Sequence, residues 1–596
     1  MSEKRIRIGG ASGYWGDTAL GPAQLIRDGD VDYLILDYLA EITMSILAKA
    51  KSRDAEAGYA TDFIDRVIRP FIHDIAERRI KVIANAGGVN LDACRRALET
   101  VADEAGVTLR VGTVEGDDLL PHLDELRQLD IRELDSGTPL PEKLMSANAY
   151  LGAFPIAAAL DAGADIVLTG RCVDSALAAG ALIHEFGWQA DDLDHLAAGG
   201  LVGHVIECGA QATGGNFTDW EETVDGWENT GFPIAEVSAD GSFILTKPEN
   251  TGGKVTPFTA GEQMLYEIGD PARYILPDVT CDFSHVTMDQ EGPNRVRVAG
   301  ARGLPPTDTY KVSATYLSGF SCVGSFVIAG ERAAERARRQ GEAVLKRTSR
   351  MLEEIGLPAY AKTALQLVGT ESLFGPAAEP AVQASREVVL RLGVHHPQRD
   401  GAEIFSKEFV GAGLSMSPGL TGLAPGRPRA TPVVQLFSFL LDKSRITVTV
   451  KLDGEPVALP LAVVTGSGAP ANEAATGALP SEQPGGSVPL RTLAVARSGD
   501  KGDKANIGII ARHPEYLPWI RQALTPAAVK ERLAHLEVGR VERFECPGIN
   551  ALNFLAHGAL GGGGAASLNL DPQGKTYGQI LLDTPVPVPE GIAPRT

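Results

Sequence analysis

The feature that most constrains the fold is a regular alternation in the first third of the chain. Short apolar segments at 5–8, 31–36, 81–84, 107–111 and 166–169 read as strands. Helical patterns at 23–28, 40–53, 61–77, 91–104, 151–162 and 175–186 lie among them. Apolar strands separated by helices predict an α/β region whose mostly parallel sheet is covered on both faces. In such sheets ligands bind beyond the carboxyl ends of the strands. There the sequence places Gly9-Gly-Ala-Ser-Gly13, Asp37, Asn85-Ala-Gly-Gly88, Glu115-Gly-Asp-Asp118 and Gly170-Arg171.

From about residue 200 the texture changes, marking an internal division near 200–270. A second portion extends to 464, with strands at 296–298, 309–318, 446–451 and 457–464 and a long charged helix at 330–355. Residues 465–489 are dense in Gly, Ala, Pro and Ser and read as a flexible linker. The segment 490–596 is long enough for a domain of its own. It reads as strand 491–497, polar loop, strand 506–512, helix 515–536, strand 540–546, helix 549–557, glycine-rich loop 558–566 and strand 577–583. That order predicts an α+β fold of ferredoxin-like type.

Composition narrows the function. The 596 residues carry 55 Lys+Arg against 76 Asp+Glu, a net charge of −21, which repels nucleic acid and anionic membranes. The six cysteines, at 94, 172, 208, 281, 322 and 546, form no Cys-x-x-Cys pair, so no zinc ribbon or dithiol redox site is expected. His395-His396 has no third ligand at metal spacing and reads as structural, so no metal site is expected. With no signal-like or membrane-spanning apolar run, a cytoplasmic protein is expected.

The densest candidate motif is Arg497-Ser-Gly-Asp-Lys-Gly-Asp-Lys-Ala-Asn506, a charged loop between apolar strands. Asp500 and Asp503 are candidate bases, and Lys501 and Lys504 suit an anionic group. Arg497, Ser498 and Asn506 are candidate substrate contacts. It is not a P-loop, because the Walker pattern is absent. Cys546-Pro-Gly-Ile-Asn550, Asn553 and the Gly561–Gly564 run form a second polar, glycine-rich feature. A catalytic Cys546–His557 pair stands against the simpler reading of two residues that happen to be close in sequence.

In the large region, Gly10, Ser12, Gly13 and Asp17 belong to a glycine turn after the first strand. The turn suits a phosphate or acyl thioester. A dinucleotide site is the lesser reading: Asp37 stands where a ribose-binding acid would, but Gly-x-Gly-x-x-Gly is absent. Asp37 and Glu41, four apart, suit acid–base work or helix capping. Asn85 and Asp174 are candidate substrate contacts, and Arg171 is the candidate partner of a substrate carboxylate.

Gly9-Gly-Ala-Ser-Gly-Tyr-Trp-Gly-Asp17, Asp37-Tyr-Leu-Ala-Glu41, Asn85-Ala-Gly-Gly88, Thr169-Gly-Arg-Cys-Val-Asp174 and Arg497-Ser-Gly-Asp-Lys-Gly-Asp503 resemble the acyclic terpene utilisation protein A (AtuA) family. The resemblance runs through nearly the whole chain. It implies a large N-terminal part, a small ferredoxin-fold domain, and a place in citronellol and geraniol catabolism, where intermediates are coenzyme A thioesters of branched acids. The expectation is an enzyme of hydratase or lyase type acting on an acyl-CoA or carboxylate, with coenzyme A as part of the substrate. It is also expected to be a homo-oligomer. The alternatives are a non-catalytic acyl-CoA-binding or assembly component of a carboxylase or dehydrogenase complex, and an NAD(P)-dependent enzyme.

Overall fold

The structure, a computed structural model, describes residues 4–423, 425–459, 479–480 and 483–590. Five strands lie side by side in parallel: Arg5–Gly10, Tyr33–Leu36, Lys81–Ala84, Ile166–Thr169 and Val111–Glu115. The expected strand at 107–111 is displaced, because Val111 is the residue that comes into register with Ile166.

The sheet is not mostly parallel. Six antiparallel strands extend it to eleven. Ile234–Ser238, Phe243–Thr246, Arg295–Ala299 and Thr287–Gly292 continue it beyond the first strand. Thr449–Leu452 and Glu455–Val457 continue it at the other edge. The expected strand at 457–464 ends at Val457, and its residues 460–464 lie outside the described residues. The physical cause of the mixed sheet is chain reversal. Positive-φ residues Gly241 and Asn294 turn the chain straight back, so neighbours pair without a crossover helix.

A second, antiparallel sheet is built on the 21-residue strand Thr309–Ala329, which pairs with Glu387–His396, Thr431–Asp442, Leu420–Gly422 and Ser146–Ala149. Lys362–Val368 pairs with the far side of Glu387–His396. Helices Ala333–Glu354 and Arg399–Ser415 cover this sheet over a core of Phe326, Leu390, Leu392, Phe405 and Phe409.

The C-terminal unit holds a four-stranded antiparallel sheet in the order Ala494–Lys501, Lys504–Ala511, Ala551–Ala556, Val541–Cys546. Several expected elements are corrected here. The charged loop is the closed end of a hairpin: Lys501 pairs with Lys504, and Gly502 takes the first turn position at φ +67°. The single helix at 515–536 is two, Leu517–Ala523 and Pro526–Arg532. Pro526 has no N–H to continue the first, and Thr525 Oγ1 caps the second through Ala528 N at 3.1 Å. Residues 551–556 are a strand rather than a helix, and Tyr577–Leu582 is a helix rather than a strand.

Burial on both faces hid that strand. Leu552, Phe554 and Ala556 face the small unit's own core. Ala551, with Val495, Ile510 and Cys546, joins the core of the large region, which includes Met264, Leu265 and Val286. No polar alternation is left to mark a strand. Of the stretch read as a linker, 465–478, 481 and 482 lie outside the described residues, and Gly486–Pro489 is a strand paired with Pro585–Val588.

Candidate functional site

The carboxyl ends of the parallel strands meet the end of helix Leu193–Ile206, which is buried on nearly every side. Glycines let it approach. A Cβ on Gly10 would strike the Ile206 carbonyl, and one on Gly13 would lie 3.1 Å from Cys208 Cα. The turn binds itself together. Asp17 Oδ2 accepts from Gly13 N at 3.0 Å, and Ser12 Oγ donates to Tyr14 O at 3.1 Å and Asp37 O at 3.2 Å. Thus Gly10 and Gly13 lie against the backbone of Ile206 and Cys208, and Ser12 and Asp17 hold the turn together.

Behind this turn sits a cluster of acids. Asp37, 7% exposed, accepts from Asn85 Nδ2 at 2.5 Å, while Asn85 Oδ1 accepts from Tyr38 N at 2.7 Å. Burial, then the negative charge of Asp174, pushes the Asp37 carboxyl well above the usual range; Arg171 and Asn85 oppose this. Glu207, 8% exposed, lies one helical turn after His204, whose Nδ1 is 3.0 Å from Glu207 Oε1. Burial raises the Glu207 carboxyl as well, against the attraction of His204 and of Lys501. Among the described residues the buried Glu207 Oε2 atom has no hydrogen-bond partner.

The cation of the cluster is Arg171, buried at 3% exposure. Its Nη1 donates to Asp174 Oδ1 at 2.6 Å, and its guanidinium lies 4.3 Å from the Tyr150 ring centre. Lys311 Nζ lies 4.9 Å from the same ring. Asp117 fixes the turn that presents Arg171: it accepts from Arg171 N and from Asn148 Nδ2, each at 2.8 Å, and burial pushes it up to about 7. Glu115 instead pairs with Lys451 at 2.8 Å. The Glu41 side chain lies outside the described residues.

The small unit's candidates divide into three groups. Asn506 and Asn553, both fully buried, clasp the chain after helix Pro257–Leu265. Asn506 donates to Leu265 O at 2.6 Å and accepts from Glu267 N at 2.8 Å; Asn553 donates to Ile268 O at 2.9 Å. Arg497 and Lys575 lie on the ring of Tyr266, 4.7 and 4.5 Å from its centre, and Lys575 also reaches Asp500 at 3.1 Å and Glu267 at 3.2 Å. The third group holds structure within the small unit and, through Lys504, between it and the large region. Asp503 accepts from Gly562 N at 2.7 Å, Ser498 Oγ from Gly578 N at 2.9 Å, and Lys504 pairs with Asp135 at 2.5 Å. Lys501 is exposed, yet its charge is felt at Glu207.

Thus the hairpin and the glycine turn meet through an intermediary. The turn touches Cys208, and Lys501 acts on Glu207. Cys546 and His557 stand at opposite ends of the paired strands Val541–Cys546 and Ala551–Ala556. His557 lies 2.5 Å from Glu542, and Cys546 Sγ faces Phe283 O at 3.7 Å, so they form no catalytic pair. Among the described residues no group of three or more His, Cys, Asp or Glu could hold a metal ion.

Sequence reasoning missed Glu207, His204, Tyr266 and Lys575. The first two lie at the end of Leu193–Ile206, a helix buried on nearly every side, which has no polar face to mark it in the sequence.

A family model described as "Acyclic terpene utilisation family protein AtuA" matches residues 6–452, and one for the "AtuA ferredoxin-like domain" matches residues 488–587. The chain belongs to the AtuA family. Its C-terminal unit is the ferredoxin-like domain of that family, in which the Asn506 and Asn553 clasps lie. The first match spans every strand end of the acid cluster in this AtuA chain, and the second spans Lys501. Comparison with curated proteins and with solved structures returned no match. No helix among the described residues is long and apolar enough to cross a membrane.

Proposed function

We propose that this chain is an enzyme of acyclic terpene or related branched-acid catabolism. It performs acid–base chemistry of hydratase or lyase type on an acyl-CoA or carboxylate. One observation carries the reading: two buried carboxyls, Asp37 and Glu207, are both raised above their usual range, each feels the charge of Asp174, and Asp37 also that of the buried guanidinium of Arg171. A carboxyl raised above its usual range by burial takes and returns a proton more readily than a solvent-exposed one. The different surroundings of the pair, Asn85 and Arg171 for one and His204 and Lys501 for the other, suit different roles. Glu207 is assigned as the proton-transfer group, because its Oε2 is uncommitted. Arg171 and Lys501 are assigned to the substrate's anionic groups, and Asp37 to holding the charge balance around Arg171. Asp500 and Asp503, bonded to Lys575 and Gly562, serve the hairpin and the glycine-rich stretch in this reading.

The test is an assay of the purified chain with branched 2-enoyl- and 3-hydroxyacyl-CoA esters, following hydration and dehydration. Turnover that survives both Glu207→Gln and Asp37→Asn would overturn the assignment. Saturable binding of those esters without turnover would favour the assembly role.

A further inference from the structure

Helix Leu193–Ile206 carries His204 into the acid cluster, and the partners of its two ring nitrogens are of different kinds. The Nε2 atom lies 3.0 Å from Met264 O, and the Nδ1 atom 3.0 Å from Glu207 Oε1. A backbone carbonyl only accepts, so Nε2 bears a proton. In a neutral imidazole the other nitrogen is then an acceptor. A neutral ring therefore cannot face an ionised Glu207, because two acceptors would meet at 3.0 Å in a buried place. One proton must lie between them. On Oε1 it makes a carboxylic acid beside a neutral ring; on Nδ1 it makes a carboxylate beside an imidazolium.

The surroundings hold the ring in this orientation. Gln263 Nε2 donates to His204 O at 3.1 Å. The Tyr274 and Phe283 rings lie 5.2 and 6.4 Å from the imidazole, centre to centre. Met264 O is followed in the chain by Leu265 O, which Asn506 of the small unit holds at 2.6 Å. The end of helix Pro257–Leu265 thus orients His204 and carries the clasp of the small unit.

We propose that His204 is the positioning residue of Glu207 and shares one proton with it, so that the carboxylate forms inside the buried cluster. The transfer is complete in itself. The Oε1–H bond breaks, its electron pair stays on the carboxyl, the Nδ1–H bond forms, and no proton is exchanged with solvent. Burial and the charge of Asp174 favour the acid, while His204 itself and Lys501 favour the carboxylate. The part this pair plays in turnover rests on the proton-transfer reading of Glu207 given above; the shared proton does not.

The test is nitrogen-15 NMR of the histidine rings in the full chain at pH 7. The His204 signals are assigned by their loss in His204→Asn or, where that variant does not fold, by the contacts of the ring with Tyr274 and Phe283. A protonated Nε2 is expected in the wild type and in Glu207→Gln. The Nδ1 resonance is expected between the protonated and unprotonated positions in the wild type, and at the unprotonated one in Glu207→Gln. An unprotonated Nε2 overturns the proposal, and so does an Nδ1 resonance that Glu207→Gln leaves in place. These spectra need no turnover, so they judge the shared proton even where the reaction proposed above fails. Kinetics with the branched CoA esters then test the positioning role. His204→Asn keeps a hydrogen-bonding group near the place of Nδ1 but has no ring proton to exchange. Its kcat is expected to fall by about tenfold or more, with KM within about twofold of the wild type. An unchanged kcat, or an effect confined to KM, overturns that role.

Discussion

Asn85 Nδ2 donates to Asp37 Oδ1 at 2.5 Å, joining the ends of two adjacent parallel strands through their side chains. The bond favours the charged form of Asp37 and so opposes the burial that raises its carboxyl. Asn85→Leu removes the donor. The Asp37 carboxyl then rises further, and any limb of the pH–rate profile that it governs moves to higher pH. The profile of kcat/KM measured between pH 5 and 9 checks this. A limb that stays in place, or moves to lower pH, separates Asp37 from the titration.

Glu207→Gln keeps the size of the side chain and removes the proton. Positioned acid–base groups contribute about 100- to 10,000-fold, so kcat is expected to fall by at least about 100-fold. Stability is expected to hold or improve, because a buried carboxyl whose charged form is disfavoured becomes a neutral amide. Activity assays paired with thermal midpoints separate the two effects. A loss of activity accompanied by a large drop in midpoint would mean that Glu207 is structural.

These two residues show how unevenly the sequence could be read. Asp37 was visible because a polar residue ends an apolar strand, and such ends face ligands in parallel sheets. Lys81–Ala84 and Ile166–Thr169 were legible residue for residue for the same reason. Glu207 was not, because it follows a helix that is buried on nearly every side, shows no polar face, and carries glycines at 199, 200 and 203. Those glycines serve packing: a Cβ on Gly203 would strike the Ser175 carbonyl. Asn506 and Asn553 were visible as unusual polar residues, but their partners are backbone atoms of Leu265, Glu267 and Ile268, some 240 to 285 residues away. Local pattern carries no record of such a contact. The strand Ala551–Ala556 read as a helix because both of its faces are buried, which removes the alternation.

The Asn506 clasp makes a prediction about how the small unit is held. Asn506→Ala leaves Glu267 N and Leu265 O without their partner in a buried place. Glu267 carries φ +58°, a conformation that costs a residue with a side chain and needs support. The expected loss is about 1–3 kcal/mol. Gly499→Ala should act in the same direction, since a Cβ there would run into the Tyr266 ring. Thermal midpoints and the rate of limited proteolysis check both. If either variant is as stable and as resistant as the wild type, the clasp does not hold the small unit in place.

Glu262, on helix Pro257–Leu265 and 4% exposed, gives the chain a pH-dependent stability of defined sign. Burial pushes its carboxyl up to about 8, against the opposing influence of Thr218 and Arg497. An unfolded glutamate titrates near 4.5, so between those values the folded chain holds more protons than the unfolded one. The contribution is full below the unfolded value and is lost as pH rises towards the folded one. Glu262→Gln cannot ionise and lacks this loss. Its thermal midpoint should therefore exceed that of the wild type at pH 8, with the gap closing as pH falls towards 5. Midpoints of both proteins at pH 5, 6, 7 and 8 decide the matter. A gap independent of pH, or one that widens on acidification, would mean that Glu262 is ionised in the folded chain and that the Arg497 charge, rather than burial, governs it.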